Sequence, residues 1–343
     1  MPAEPNDYLP SATLPMLRLR ARLLSGVRRF FDDRGYFEVD TPLLSHDRAI
    51  DRHLVPFSVE ARTGPRYLQT SPEFAMKRLL AAGAQAIYQV GHVFRGGELG
   101  SRHNPEFTMV EWYRAGDSQT EQMEVVEDLI DAMFVATSEA RRDFQGGALP
   151  VEIKRQPARP YRRTSYRDAF RSHAGRDVML LAASELAELA RDCQIAVPES
   201  LDIADRDGWL NLLLAELVEP KLGLDRPEFL FDYPASQAAL ARIRHETPPV
   251  ADRFDLYISG IEVCNGYHEL TDADELRRRI HGESQRLAAT GDEALPVSSR
   301  LLAAMDAGLP ACTGVALGFD RMMMLVTGAN SVAEVLPFAF DRA

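Results

Sequence analysis

"AIYQVGHVFRGGELGSRHNPEFTMVEWYRAG", residues 86–116, decides how the rest of the chain is read. Its two ends, 86–94 and 107–116, are rich in β-branched and aromatic side chains, the composition of strands. Between them, residues 95–106 carry Gly96, Gly97, Gly100 and Pro105, so this stretch is a long loop joining two strands. Long loops in folded domains usually have a use. Arg95 opens this one, and His103, Asn104 and Phe107 close it. A guanidinium, polar hydrogen-bonding groups and a ring are the parts of a purine-nucleotide clamp, with arginine on phosphate and phenylalanine against the base. A plain surface loop is the competing reading.

Outward from this loop the elements follow from spacing. In 16–34, Leu17, Ala21, Leu24, Val27 and Phe31 recur at intervals of four and three, the period of a helix that Gly35 then ends. "YFEVDTP" (36–42) is an extended run closed by Pro42, and 118–140 is helical in pattern. Composition shifts to Gly, Pro and Arg over 145–165, a connector, and 164–225 is mostly helical. Strand signals return in "EFLFDYP" (228–234) and "RFDLYISGIEVCNGYHEL" (253–270). A helix around 272–289 precedes the strand-turn-helix "TGVALGFDRMMMLVTG" (313–328). Helices lie among strands without alternating with them, and several strands adjoin hairpin signals. This pattern predicts an α+β fold with an antiparallel β-sheet flanked by helices, not a doubly wound parallel sheet. The expected organisation is a tail at 1–13 and a single domain over 14–343, with a helical insertion at about 164–225.

Composition narrows the function classes. Of 343 residues, 45% are hydrophobic and 26% charged, the balance of a soluble globular protein. The opening "MPAEPNDYLPSATLP" lacks the charged-then-apolar profile of a secretory signal, and no apolar run reaches membrane-span length, so no membrane partner is expected. Cys193, Cys264 and Cys312 are far apart and form no CxxC pair, which suits a reducing cytoplasm. The net charge of −12 disfavours a nucleic acid as principal partner. The richest basic stretches, Lys154–Arg163 and Arg277–Arg279, read as solvated faces.

Three acidic residues stand out in 253–270. Ser259-Gly260 and Asn265-Gly266 are both two-residue hairpin signals. Folding the strip at both pairs Tyr257 with Glu262, Cys264 with Tyr267 and Glu262 with Glu269. Alternation then puts Asp255, Glu262 and Glu269 on one face. Like charges this close oppose folding unless cations lie between them. Hard oxygen ligands suit Mg²⁺ arriving with phosphates, and an ammonium group would serve as a second cation. A solvated acidic face is the alternative, weakened by the apolar company of Phe254, Leu256 and Ile258.

The last motif is "GVALGFDR" (314–321), in which a small-residue strand ends at Gly318 and a helix opens with Arg321 in its first turn. Glycine lets a flat base or ribose approach the backbone. A cation at a helix N-terminus opposes the dipole, so Arg321 is expected to serve another purpose, such as a triphosphate. With Arg95 and Phe107 it reads as two walls of one ATP site.

In this order, a helix and strand ending in Pro42, an "FR" loop closed by "RHNPEF" and a final "GxGxDR"-like segment resemble the three motifs of class II aminoacyl-tRNA synthetases. The finer wording, "TSPE" (70–73) and "RHNPEFTMVEWY" (102–113), is similar to the lysyl branch, and the resemblance runs from residue 14 onward. Lysyl-tRNA synthetases carry an anticodon-reading OB-fold ahead of the first motif, and about 15 residues leave no room for one here. The resemblance is therefore to the elongation factor P lysine ligase family, the lysyl-tRNA synthetase paralogues.

That resemblance implies ATP and Mg²⁺ as cofactors, lysine or (R)-β-lysine as substrate, elongation factor P as acceptor, a homodimer and no tRNA partner. It implies that Arg95 and Arg321 are catalytic. Arg95, Gly96, Gly97, Asn104, Phe107, Glu262, Val263, Gly318 and Arg321 are implied to bind ATP, and Asp255 and Glu262 to hold the metal. Ser71, Pro72, Glu73, Tyr113 and Glu269 are implied to bind the amino acid, with Glu111 helping. Gly97 departs from the family, which has glutamate there; the adjacent Glu98 is a substitute through a shifted loop. A tRNA-charging catalytic fragment, a small amide-forming synthetase and a non-catalytic regulatory paralogue are the alternatives.

Overall fold

The computed structural model describes residues 8–48, 50, 54–143, 156–290 and 299–343. The chain forms two compact units, Met1–Gln156 with Thr271–Ala343, and Pro157–Leu270.

The first unit is built on the 86–116 stretch. Ala86–Phe94 and Glu106–Ala115 pair antiparallel from Ala86 opposite Arg114 to Phe94 opposite Glu106. Cys312–Gly318 adds antiparallel to the second strand, and the short Phe37–Glu38 adds parallel to the first. Period-two alternation divides the side chains cleanly. One face presents Tyr88, Val110, Trp112 and Leu317, all 1% exposed or less. The helix Leu14–Asp32 supplies Phe31, which stacks on Tyr88 at 4.8 Å and tilts against Trp112 at 5.1 Å. Trp112 Nε1 donates to Gln122 Oε1 from the helix Gln119–Asp143, satisfying the buried indole. The opposite face carries Gln89, Phe107, Met109, Glu111, Tyr113, Gly314, Ala316 and Gly318.

Thr13 caps the opening helix, its hydroxyl accepting from Met16 N. Gly35 follows the helix at φ +76°, a conformation that favours glycine. The closing helix Phe319–Thr327 begins directly after its strand, without an intervening turn. A helix at Arg300–Gly308 packs beside Glu73–Ala81.

The second unit orders its strands as Arg162–Ser165, Glu228–Pro234, Val250–Ile258 and Ile261–His268. The first pair is parallel and the others antiparallel. Helices Tyr166–Ala174, Ala183–Asp192 and Arg206–Leu213 share a core with Leu230, Tyr233, Ala251 and Tyr257 of the strands. The helical pattern over 164–225 therefore lies beside these strands in this unit. Most of the connector expected at 145–165 lies outside the described residues.

One hairpin differs from the sequence reading. The Ser259-Gly260 turn forms, with Ser259 at φ +55° and Gly260 at φ +69° and with Tyr257 opposite Glu262. Asn265-Gly266 makes no turn; it lies inside the strand Ile261–His268. Cys264 faces Leu256 and not Tyr267, Gly266 faces Phe254, and Glu262 is not opposite Glu269. The reason is packing. A Cβ on Gly266 would lie 2.3 Å from the Phe254 ring, so this glycine makes room for an aromatic neighbour and needs no turn conformation.

Candidate active site

In the first unit the nucleotide-clamp residues come together. Arg95 lies over the Phe107 ring at 5.1 Å, its Nε donates to the Thr70 carbonyl at 3.3 Å, and its Nη1 is 3.7 Å from the Glu98 carboxylate. Glu98, adjacent to the departure at Gly97, thus stands beside the arginine. Gly96 donates its N–H to Val55 O at 2.7 Å, and a Cβ there would meet that oxygen at 3.2 Å; Gly97 turns at φ +81°. The close approach at Gly96 and the positive φ at Gly97 both favour glycine. Arg321 Nη2 donates to His103 Nε2 at 2.6 Å, which brings the closing helix to the same loop. Gly318 lies opposite Met109, two residues along the strand from Phe107. Asn104 is buried, and its side chain is taken up by backbone: Nδ2 donates to Glu106 O at 2.6 Å and Oδ1 accepts from Phe340 N at 3.0 Å.

A second cluster on the same face surrounds Glu111. This carboxylate is 2% exposed, with Oε2 accepting from Ser71 Oγ at 2.7 Å and Oε1 from Tyr113 Oη at 2.8 Å. Ser71 Oγ also accepts from Glu73 N, which opens the helix Glu73–Ala81 after Pro72. Lys77, one turn on and 2% exposed, donates to Glu73 Oε1 at 2.6 Å. Burial, and then the charge of Glu73, push the Glu111 carboxyl up to about 7, against the pull of Ser71, Tyr113 and Lys77. A buried carboxyl beside a second carboxylate and two hydroxyls is chemistry that suits an amine.

In the second unit the Ser259-Gly260 turn sets the acidic face, and a bulge follows at Val263. Leu256 faces Cys264 while Tyr257 faces Glu262, so Val263 is the extra residue. The turn puts Asp255, Tyr257 and Glu262 on one face, and the bulge adds Asn265 to it. Tyr233 Oη donates to Asp255 Oδ2, and Arg253 Nη2 donates to the same oxygen at 2.9 Å. Burial pushes the Asp255 carboxyl up, Arg253 opposes this, and the charge of Glu262 pushes it further up. Glu269 is 2% exposed, one residue beyond the strand and opposite Ala241. Among the described residues no group of three or more His, Cys, Asp or Glu forms a metal cage. Asp255 and Glu262 nevertheless fit Mg²⁺, which takes one or two carboxylates and completes its shell with phosphates and water.

Several residues of the arrangement were not anticipated. Arg20, 300 residues before Asp320 in sequence, donates to its Oδ1 in a buried ion pair, while Asp320 Oδ2 accepts from Thr108 N at 2.8 Å. This joins the opening helix, the closing helix and the strand after Phe107. Lys77, Tyr233 and Arg253 likewise emerge only from the fold. The basic runs are engaged in ion pairs: Arg162 with Asp225 and Glu228, Arg277 with Asp274 and Asp306, and Arg278 and Arg279 with Glu275. Lys154 and Arg155 lie outside the described residues.

The family model described as "tRNA synthetases class II (D, K and N)" matches residues 8–342, and the chain belongs to this family. It is similar to the elongation factor P–(R)-β-lysine ligases of Klebsiella pneumoniae subsp. pneumoniae, Salmonella dublin and Salmonella heidelberg. Each is 41% identical, over 99% of this chain and 100% of the relative. The chain is accordingly an enzyme of the ligase class. No helix among the described residues is long and apolar enough to cross a membrane.

Proposed function

We propose that the protein activates (R)-β-lysine, or lysine, with ATP and transfers it to a lysine ε-amine of elongation factor P in the cytoplasm. The observation that carries this reading is the 41% identity to ligases of that name along the full length of both chains. The Glu111 cluster and the Arg95–Phe107 pair supply the matching chemistry. In the first step the substrate carboxylate attacks the α-phosphorus of ATP; the bond to pyrophosphate breaks and an aminoacyl-adenylate forms. Arg95 and Arg321 spread the charge that develops on the phosphates. Phe107 stacks on the base, and the backbone at Gly96, Gly97, Val263 and Gly318 lines the nucleotide. Asp255 and Glu262 would hold Mg²⁺, which neutralises phosphate charge when bound. Ser71, Pro72, Glu73, Tyr113 and Glu269, with Glu111, take the amino acid and its ammonium groups. In the second step the acceptor amine, ordinary pKa about 10.4 and hence needing to lose a proton, attacks the carbonyl, AMP leaves and an amide forms.

ATP–pyrophosphate exchange with a panel of α- and β-amino acids tests the first step. Exchange is expected with lysine-type substrates and not with norleucine. Transfer of labelled amino acid is then expected to elongation factor P and not to tRNA. Charging of tRNA alone, or exchange that ignores the distal amine, would refute the assignment.

A further inference from the structure

We propose that the C-terminal segment is a positioning strap for the ATP loop, acting through the Phe340 N–H on Asn104; this rests on reading 95–107 as the nucleotide loop. Asn104 is the hub. Its carboxamide spans Glu106 O, through Nδ2, and Phe340 N, through Oδ1. The next residue, Pro105, accepts the Arg95 N–H at 2.8 Å, closing the base of the loop, and two residues further Phe107 carries the Arg95 guanidinium. A shift of Asn104 therefore reaches both members of the nucleotide clamp by short covalent paths. Because backbone groups engage both polar ends of this side chain, Asn104 shapes the loop.

The strap has its own anchors. Val332 N donates to Ser101 O at 2.8 Å, a second hold on the same loop. Ser11 N donates to Pro337 O and Ala12 N to Leu336 O, while Ser11 Oγ accepts from Ala339 N at 2.9 Å, so the segment is tied to the start of the opening helix. Arg342 N donates to Ala339 O at 2.8 Å, a turn over 339–342 with Phe340 at its second position. The Phe340 side chain is 53% exposed, so the contribution of this residue lies in its N–H.

That geometry supplies a narrow test. Proline is favoured at the second position of such turns and lacks an N–H, so Phe340→Pro removes the donor while keeping the turn. Phe340→Ala keeps the donor and removes the ring. Phe340→Pro is expected to raise the KM for ATP in pyrophosphate exchange about five- to tenfold, the scale of one hydrogen bond. The amino-acid KM and the melting temperature should stay near those of the native protein, and Phe340→Ala should match it throughout. In an Asn104→Leu background Phe340→Pro should cost nothing more. If Phe340→Pro fails to fold, a chain ending at Ala339 removes the same donor and is expected to show the same rise. Equal ATP KM values for the proline, alanine and native proteins would overturn the strap, as would equal rises in both substrates' KM. Absence of exchange in the native protein would instead sink the ATP reading on which it rests.

Discussion

Glu111 shows how one buried carboxyl couples stability to substrate. Its folded pKa, about 7, lies above the ordinary carboxylate value, chiefly through burial. Charging it therefore costs folding stability: the cost is absent below the ordinary pKa, grows as pH rises through the folded value and then levels off, at roughly 3 kcal/mol. Glu111→Gln is expected to flatten stability between pH 4.5 and 7 and to make the ligand-free protein more stable than the native one at pH 8, read by urea unfolding. The same change should lower kcat/KM for the amino acid. In the native enzyme that ratio should rise with pH as the amine-binding carboxylate ionises; a flat profile across pH 5.5–8 would remove Glu111 from the amine pocket. Glu269 takes its place from a bridge to Ala241 and not from a pairing with Glu262. A buried carboxylate opposite a substrate ammonium leaves that charge uncompensated when it is neutralised, a loss of roughly 3–5 kcal/mol. Glu269→Gln is then expected to raise the KM for lysine-type substrates by about two to three orders of magnitude, with the ATP KM changed far less. Loss of ATP affinity with preference for lysine over norleucine retained would move Glu269 to the metal.

At the scale of elements, the antiparallel pair around the arginine loop was legible because alternation, glycines and β-branched residues all agree there. The expected strand bounds differ from the observed ones by one residue at most. The hairpin over 253–270 was half legible. Ser259-Gly260 turns, but Asn265-Gly266 carries the same local signal for a different reason, the Phe254 ring on the neighbouring strand. No local rule reports a residue 12 positions away. The shared acidic face of Asp255 and Glu262 was reached through the turn that does form. Asn265's place on that face depends on the Val263 bulge, which has no sequence signature. Arg20 with Asp320 was illegible for the same reason of distance, although Arg321 beside it was read from its misfit with the helix dipole. If Gly266 is glycine to admit Phe254, then Gly266→Ala overpacks a fully buried ring. A loss of about 1–3 kcal/mol and a fall of a few degrees in melting temperature are expected. Phe254→Leu should partly rescue it by making room. A Gly266→Ala protein that melts with the native one would return this glycine to a turn-like role.

For the whole molecule, the unexplained surface is apolar. Phe37 is 54% exposed on the edge strand Phe37–Glu38, and Leu44 (43%), Val55 (55%) and Val59 (39%) follow it in sequence. The edge of this strand pairs only on the side of Ala86–Phe94 among the described residues, and exposed apolar side chains beside an open edge are an aggregation hazard unless a partner covers them. A second copy related by a twofold axis is the simplest cover, because the same patch then meets itself. The protein is therefore expected to sediment as a dimer at micromolar concentration, with a total buried area of at least about 1,200 Å². Phe37→Glu with Leu44→Glu places like charges across the axis and should give monomers. If the dimer supports the opening helix, the monomer should also melt earlier, since Leu14–Asp32 backs the sheet that carries Arg95, Glu111 and Tyr113. A native protein that sediments as a monomer at these concentrations, or a doubly charged variant that still sediments as a dimer, would place the interface elsewhere and leave the patch to another partner.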